Sequence, residues 1–364
     1  MVKDVTAQVG EVMEKAAIAA AVFNQLDQEQ TDLIVRKAFA AGFDARVRLA
    51  KMAAEETGLG IWEHKVLKNV LATLLVYENI AKEKTVGVLS HDEHSGIVEL
   101  AQPLGPVFAI TPVTNPTSTV MFKILIALKT RNPIIISPHK RSLKCCAEAA
   151  RLLYLAALAA GAPEFCVQCL TETSHEQTQA IAAHPRTALI LATGGSSLVH
   201  AAYSSGTPAI GVGPGNVPVF VDTSADLFFA VENILVSKTF DNGTVCASEQ
   251  AVVVEKSVAA ALEQEFERQG AHFLSEAEKQ KVAAVAVDPQ TGMMMPEIVG
   301  QSVERIASMA GITVPRGTRL LIARLAGIGR EHPISGEILA PLLGFFVAEN
   351  YDHAIKLCTD LNYL

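Results

Sequence analysis

The sequence has no excess of basic residues and no apolar run long enough to cross a membrane. Its 30 lysines and arginines stand against 38 aspartates and glutamates, a formal net charge of −8, and no Lys/Arg-rich run is present. This balance argues against a general nucleic-acid-binding protein. The mean hydropathy is positive, yet the longest apolar stretch, residues 152–162, is far shorter than the roughly 20 residues that a membrane span requires. We therefore expect neither nucleic acid nor a membrane as a partner.

We also expect no export signal. The N-terminal segment MVKDVTAQVGEVMEK is amphipathic and has no apolar core of the signal-peptide type. We therefore expect a cytoplasmic protein, in which the six cysteines are reduced thiols. Half of the 364 residues are apolar and 19% are charged, a composition typical of a globular chain with room for two domains.

Two short clusters raise the question of a metal site. One is the C-x-x-C pair Cys166 and Cys169, and the other is the HDEHS segment at 91–95. The sequence has no second C-x-x-C and no H-x₃₋₅-H to complete a zinc site, and no apolar residues flank HDEHS to order its ligands. We favour a buried strand for the cysteines and a solvated hairpin turn for HDEHS, with zinc or redox chemistry as the alternative at C-x-x-C.

The spacing of apolar residues changes along the chain. Residues 28–41, 44–57 and 62–82 have helical spacing, and glycines follow the first two segments. Residues 85–101 predict a hairpin around HDEHS. From 104 to 222 short apolar strands alternate with helices, which is typical of a parallel, doubly wound sheet. After a helix at 226–238, residues 252–355 again mix strands and helices and predict a second α/β domain.

Two loops at the ends of predicted strands could bind a ligand, because open α/β sheets bind ligands at the carboxyl ends of their strands. In ITPVTNPTST (110–119) two prolines fix the backbone around Asn115, whose amide could then act as a fixed donor. An ordinary Asn-Pro turn is the alternative. In LATGGSS (191–197), bare N–H groups at a helix start suit a phosphate, and a plain glycine turn is an equally good interpretation.

A third loop, GVGPGN at 211–216, resembles a dinucleotide fingerprint but departs from it. Asn216 occupies the position of the third glycine, so the G-x-G-x-x-G pattern fails. The glycines of this loop, Gly213 among them, still permit close approach of the chain to something flat.

Cys246 lies in FDNGTVCASEQ (240–250), between a glycine turn and an apolar strand. We expect the second domain to begin here, and a cleft between domains is the usual ligand site. A thiol with the ordinary pKa of about 8.5 needs a nearby N–H dipole or cation to become reactive, and no histidine adjoins this cysteine. From the residues alone, a nucleophile and a small apolar filler both stay open.

Five motifs, taken in order, resemble the aldehyde dehydrogenase superfamily. They are TNPTST (114–119), LKTRNPIIISPH (128–139), LATGG (191–195), AAYSSGTPAIGVGPGN (201–216) and SKTFDNGTVCASEQ (237–250). More narrowly, the chain is similar to the CoA-acylating acetaldehyde dehydrogenase domain at the N-terminus of bacterial bifunctional acetaldehyde–alcohol dehydrogenases. The resemblance extends from the N-terminal helices to residue 364.

The resemblance implies the reversible conversion of acetaldehyde, CoA and NAD⁺ to acetyl-CoA and NADH. Cys246 would be the nucleophile that forms a thiohemiacetal and then a thioester, and the Asn115 amide and the Cys246 N–H would hold the oxyanion. The TGG turn would hold the NAD pyrophosphate, residues 137–139 the adenosine, and Glu337 the nicotinamide ribose. The implied NAD-binding residues are Thr111, Pro112, Ser137, Pro138, His139, Thr193, Gly194, Gly195, Gly213 and Glu337.

The resemblance also implies how the chain is organised. We expect an NAD-binding domain over 1–240, with the N-terminal helices and an oligomerisation hairpin near 84–102, and a catalytic thiol domain over 241–364. The protein would be a homo-oligomer without a metal site.

Two departures from the superfamily bear on the reaction. Hydrolytic members carry a glutamate in E-L-G-G-K-x-P that activates water, and counting back from Pro218 that position holds Val212, which favours CoA as the acyl acceptor. The family also continues through a G-x-G-H segment and a closing strand that this sequence lacks, so we expect a C-terminally incomplete catalytic domain. The alternatives are a hydrolytic or semialdehyde dehydrogenase, or an inactive nucleotide-binding or assembly remnant.

Overall fold

The computed structural model describes residues 5–363, which form two compact α/β units. The division falls after Gly213, and residues 59–61 belong to the second unit. This corrects the boundary expected at residue 240. The reason is strand pairing: the strand Val217–Val221, expected in the first sheet, pairs in parallel with Glu249–Glu255 of the second sheet.

The first unit begins with helices. They are α1 (Val5–Phe23), α2 (Gln28–Asp44), α3 (Arg46–Thr57), α4 (Trp62–Val70) and α5 (Val76–Ile80), with a π-helical turn over Leu71–Leu75. Gly58 ends α3 in the left-handed conformation, as expected. Gly42 does not end α2, because it is a packing position: a Cβ there would lie 3.1 Å from Leu153 Cδ1.

A hairpin and a parallel sheet complete this unit. The hairpin consists of β1 (Gly87–Asp92) and β2 (Ile97–Ala101). The sheet and its helices are β3 (Val107–Thr111), α6 (Pro116–Lys129), β4 (Ile134–Pro138), α7 (Leu143–Ala159), β5 (Val167–Cys169), α8 (His175–Ala182), β6 (Leu189–Thr193), α9 (Ser196–Tyr203) and β7 (Ala209–Val212). The strand order is β5-β4-β3-β6-β7, all parallel.

Alternate side chains of these strands pack into two separate apolar clusters. Val107 and Ile134 pack with α2, α3, α6 and α7 on one face, and Phe108 and Ile135 pack with α1, α8 and α9 on the other. A parallel sheet covered by helices on both faces is doubly wound, which confirms the expected fold class. The order of connection reverses between β3 and β6, and the carboxyl ends of these two strands form the switch point of the sheet.

The second unit has its own parallel sheet. Its elements are β8 (Val217–Val221), α10 (Leu227–Thr239), a 3₁₀ turn (Phe240–Gly243), β9 (Glu249–Glu255), α11 (Lys256–Arg268), β10 (Ala271–Phe273), α12 (Glu276–Ala286), α13 (Val303–Ala310), β11 (Leu320–Arg324), a 3₁₀ turn (Pro333–Ser335), β12 (Leu342–Ala348) and α14 (Tyr351–Asn362). The strand order is β10-β11-β12-β9-β8, all parallel. This confirms a second α/β unit.

Residues 5–363 contain neither a membrane-spanning helix nor a metal-binding cluster. None of the helices in this range is long and apolar enough to cross a membrane. Nor does the range contain three or more His, Cys, Asp or Glu side chains grouped so that they could hold a metal ion. In the hairpin turn, Asp92 instead accepts hydrogen bonds from the His94 N–H and the Ser95 hydroxyl.

Candidate active site

Most of the expected nucleotide-binding residues lie along one edge of the first sheet. Thr111, Pro138 and Thr193 are the last residues of β3, β4 and β6, and Gly213 directly follows β7. Because neighbouring parallel strands end at the same edge, the structure brings these positions together. The remaining members of this set adjoin the strand ends: Pro112, Ser137, His139, Gly194 and Gly195.

The TGG turn leads directly into α9. Gly195 is the N-cap residue and supplies no side-chain cap. Space around the two glycines differs, since a Cβ at Gly194 would lie 2.6 Å from Leu198 Cδ2, while a Cβ at Gly195 would meet nothing within 4 Å. A helix start without a side-chain cap, with open space beside it, suits an anionic group such as a pyrophosphate.

Lys123 was not identified from the sequence, and it joins the two strands at the switch point. Its Nζ donates to the carbonyls of Ile110 and Leu191 at 2.8 Å each and to Thr193 Oγ1 at 2.9 Å. Burial lowers the pKa of this lysine to about 7. The available signal was a single lysine within the apolar helix segment TVMFKILIAL.

His139 lies beside the end of β4. Burial lowers the pKa of its imidazole, and the charges of Arg141 and Lys140 lower it further. Its Nδ1 accepts the Arg141 N–H at 3.2 Å. The neutral ring is therefore favoured, and it presents an apolar face and no added charge at this end of the sheet.

Asn115 is the N-cap residue of α6, yet its side chain makes no cap hydrogen bond. Its Oδ1 accepts the ammonium of Lys68 at 2.6 Å, and its Nδ2 donates to Thr114 Oγ1 at 3.0 Å. Pro116, at the first position of α6, fixes the backbone that follows. The amide is thus held in one orientation by Lys68 and Thr114, and Lys68 was not identified from the sequence.

In the second unit, the segment ahead of Cys246 is strained. Asp241, Asn242 and Gly243 are all left-handed, with φ of 51°, 52° and 73°. A non-glycine residue in this region costs about 1–3 kcal/mol. Such strain persists only where surrounding contacts hold it.

Polar contacts within the second unit hold this left-handed turn. The buried carboxylate of Asp241 accepts the Ile61 N–H at 2.6 Å and the Thr244 hydroxyl at 2.7 Å. Asn242 Nδ2 donates to the carbonyl of Gly300 at 3.0 Å. The turn is therefore fixed from two remote segments of the second unit, and it presents Cys246 three residues later.

Gly215 lies next to both Cys246 and Glu337. A Cβ at Gly215 would lie 3.1 Å from the carbonyl oxygen of Cys246, and the Gly215 N–H donates to Glu337 Oε1 at 3.1 Å. Cys246 is partly exposed, and among the hydrogen bonds within residues 5–363 none uses its N–H as donor. Close approach at the GVGPGN loop was expected, and at Gly215 its partner is the Cys246 backbone.

Lys238 is a second buried lysine that was not identified from the sequence, and its positive charge acts on Glu337. Lys238 Nζ donates to Gln250 Oε1 at 2.6 Å and to the Ile338 carbonyl at 2.9 Å. Burial lowers the pKa of Lys238 to about 7, against the opposing charges of Glu337 and Glu249. The pKa of Glu337 is raised by burial, and the Gly215 N–H and Lys238 oppose that rise.

The C-x-x-C pair lies at β5. Burial raises the pKa of the Cys166 and Cys169 thiols to about 12 each. Both side chains are therefore protonated at neutral pH, and a protonated thiol is a poor redox nucleophile. This supports the buried-strand interpretation.

Two parallel sheets in two units, with a glycine turn at the switch point of the first and a partly exposed thiol ahead of a strand of the second, place the protein in the class of two-unit α/β proteins. The chain belongs to the aldehyde dehydrogenase family, whose sequence model matches residues 2–363.

Individual relatives show which members of the family the chain is similar to. The chain is 47% identical over 339 residues to an aldehyde-alcohol dehydrogenase of Clostridium acetobutylicum, covering 93% of this chain and 39% of that relative. An acetylating aldehyde dehydrogenase structure from Geobacillus thermoglucosidasius aligns with a TM-score of 0.95 and 45% identity, over 99% of this chain and 80% of that one. A Rhodopseudomonas palustris propionaldehyde dehydrogenase with bound CoA and an acylated cysteine aligns with a TM-score of 0.86 and 30% identity, over 98% and 80%.

Proposed function

We propose that the protein is a CoA-acylating aldehyde dehydrogenase that converts acetaldehyde, NAD⁺ and CoA to acetyl-CoA, NADH and a proton. The observation that carries this proposal is Cys246: a partly exposed thiol behind a strained turn, with a backbone N–H that no hydrogen bond within residues 5–363 uses. The acetylating relative from Geobacillus and the acylated cysteine of the Rhodopseudomonas enzyme support it.

The first step uses the thiol. The Cys246 thiolate attacks the carbonyl carbon, a C–S bond forms, and the electron pair of the C=O bond moves to oxygen. Two donors are proposed for this oxyanion, the Cys246 N–H and the Asn115 amide, with Asn115 assigned by the family resemblance. Donors held in place before the reaction stabilise developing charge without reorganisation.

The residues at the edge of the first sheet would hold the dinucleotide. The uncapped start of α9 fits a pyrophosphate, and we propose the remaining positions, from Thr111 to Gly213, as its surroundings. Glu337 would accept hydrogen bonds from the nicotinamide ribose. Bound NAD⁺ would supply the hydride acceptor that turns the thiohemiacetal into a thioester.

The last step is transfer of the acyl group from Cys246. The CoA thiolate attacks the thioester carbonyl, the bond to Cys246 Sγ breaks, and acetyl-CoA leaves. Val212 occupies the position where hydrolytic relatives have the glutamate that activates water, and its side chain has no group that accepts a proton. A thiol, already nucleophilic, is therefore the favoured acceptor.

We also propose self-association through the hairpin. Both of its strands are exposed, and apolar side chains such as Ile97 and Leu100 are 59% and 57% accessible. Isolated two-stranded hairpins are marginally stable in water, so a second copy of the chain is a suitable partner. A cytoplasmic location stays a prediction.

The test is NADH formation from acetaldehyde with and without CoA. We expect strict dependence on CoA, and loss of activity by several orders of magnitude in Cys246→Ala. Cys358→Ala is the matched control, because Cys358 is also a partly exposed free cysteine. Acetate release without CoA would contradict the acylating reaction, and activity that survives Cys246→Ala would contradict the nucleophile.

A further inference from the structure

Two buried lysines of α4 reach the loop that carries Asn115. Lys65 and Lys68 are only 3% and 9% exposed. Their targets differ: Lys65 Nζ donates to the backbone carbonyl of Thr114 at 3.3 Å, whereas Lys68 Nζ donates to the Asn115 side-chain oxygen at 2.6 Å. One turn of helix therefore separates a lysine that holds the backbone from a lysine that holds the amide.

The chemistry of the contact determines the orientation of the amide. An ammonium group has only donors, and an asparagine side chain has one acceptor oxygen and one donor nitrogen. Lys68 can therefore bind only Oδ1, and Nδ2 must occupy the other branch, where it donates to Thr114 Oγ1 at 3.0 Å. A flipped amide would place N–H against the ammonium and lose both contacts.

The backbone of α6 shows that this arrangement replaces an ordinary one. Asparagine is a favoured N-cap residue because its side-chain oxygen accepts an N–H of the first helical turn. At the start of α6 that hydrogen bond is missing, and the oxygen is given to Lys68 instead. A second bridge holds α4 to the same loop, since Thr117 Oγ1 donates to Asn69 Oδ1 at 3.0 Å.

We propose that Lys68 is a positioning residue for Asn115: it fixes the amide with its N–H as the donor for the reacting carbonyl oxygen, and its charge on Oδ1 makes that N–H a stronger donor. Hydrogen bonds in series polarise one another, and an ionised partner strengthens the effect. This inference rests on the proposed function, in which Asn115 donates to the oxyanion. Lys65 donates to the backbone carbonyl of Thr114, so its loss should not turn the Asn115 amide over.

The experiment compares Lys68→Met, Lys65→Met, Asn115→Ala and the double variant Lys68→Met/Asn115→Ala. We expect Asn115→Ala to lower kcat by about 10²–10³-fold, the range for loss of one oxyanion donor. Lys68→Met should lower kcat about 10-fold through the same hydrogen bond, with KM for NAD and CoA unchanged. In the Asn115→Ala background Lys68→Met should add less than about 2-fold, because coupled residues are non-additive.

Lys68→Arg, as an added variant, and Lys65→Met separate positioning from general damage. Lys68→Arg keeps a cation that reaches the amide oxygen and should recover much of kcat, and Lys65→Met should stay close to wild type. The rate of Cys246 alkylation by iodoacetamide and the Tm should show that each variant is folded.

Three results would overturn the inference. Full additivity in the double variant would show that Lys68 does not act through Asn115, and an equal loss in Lys65→Met would show a merely structural role. A wild-type kcat in Lys68→Met would also overturn the inference, because Lys68 would then have no effect on the reaction. Absence of CoA-dependent NADH formation in the wild type would instead overturn the proposed function, and this inference with it.

Discussion

At the scale of single residues, the charge state of Glu337 is expected to make ligand binding depend on pH. It is partly buried, and its pKa is raised from 4.5 by desolvation, while the Gly215 N–H and the charge of Lys238 act in the opposite direction. A raised pKa means that the carboxylate is lost at a higher pH than in an ordinary glutamate. Hydrogen bonds to a charged group contribute about 1.5–3 kcal/mol, so protonation should weaken any ligand that Glu337 binds.

We therefore predict that KM for NAD rises as the pH falls from 7 toward 5. Glu337→Gln should raise KM roughly 10-fold or more at pH 7, by loss of a charged hydrogen bond, and should remove the dependence on acid pH. Glutamine keeps a side-chain oxygen for the Gly215 N–H, so the backbone beside Cys246 should be retained. Steady-state KM values across this pH range test the prediction, and an unchanged acid dependence in Glu337→Gln would contradict it.

Some candidate site residues follow from local sequence motifs and others depend on the folded chain, for a physical reason. Cys246 and the TGG turn lie in local motifs, whose chemistry depends on neighbouring residues. Lys123 binds carbonyls 13 and 68 residues away, and Lys238 binds one 100 residues away. A lysine is ordinarily a surface residue, and only the folded chain shows which remote backbone oxygens it meets.

At the scale of an element, the turn at residues 240–243 likewise depends on contacts with remote residues. The letters Asp-Asn-Gly predicted a turn, but the left-handed run is stabilised by Ile61, 180 residues away in sequence. Strand β8 is similar: its apolar pattern was predictable, whereas its sheet depends on pairing with β9. Local patterns specify that an element exists, and remote partners determine where it is placed.

Two glycines at the end of α3 allow a matched test of this turn. Gly58 and Gly60 have nearly the same left-handed φ, 68° and 71°, so alanine costs about 1–2 kcal/mol of backbone strain at either position. A Cβ at Gly58 would meet nothing within 4 Å, but at Gly60 it would lie 2.0 Å from Asp241 Oδ1.

We predict that Gly60→Ala displaces the Asp241 carboxylate, relaxes the strained turn and lowers kcat at least about 10-fold through misplacement of Cys246. Gly58→Ala should lose stability only by the backbone cost and keep kcat. Enzyme rates, iodoacetamide alkylation of Cys246 and Tm measure the three effects. Equal kcat in the two variants would show that Asp241 does not position the thiol.

At the scale of the whole molecule, each unit contains a buried lysine whose pKa is lowered to about 7, Lys123 in the first and Lys238 in the second. In the unfolded chain a lysine keeps its proton to about pH 10.4. Between these values the unfolded state binds more protons than the folded state. Stability from these two groups therefore rises with pH from about 7 to about 10, and it is lost as the pH falls to 7.

We predict that calorimetric Tm values of the wild type rise between pH 7 and pH 9.5 relative to those of Lys123→Met and Lys238→Met. Each kcal/mol of stability corresponds to roughly 2–4 °C in a unit of about 150–250 residues, so the difference is measurable. Lys256→Met serves as the control, because that exposed lysine leaves both buried amines in place and should retain the wild-type slope. If the two buried-lysine variants kept that slope as well, the folded protein would hold both protons to the same pH as the unfolded chain, and the carbonyl acceptors around each ammonium would outweigh its desolvation.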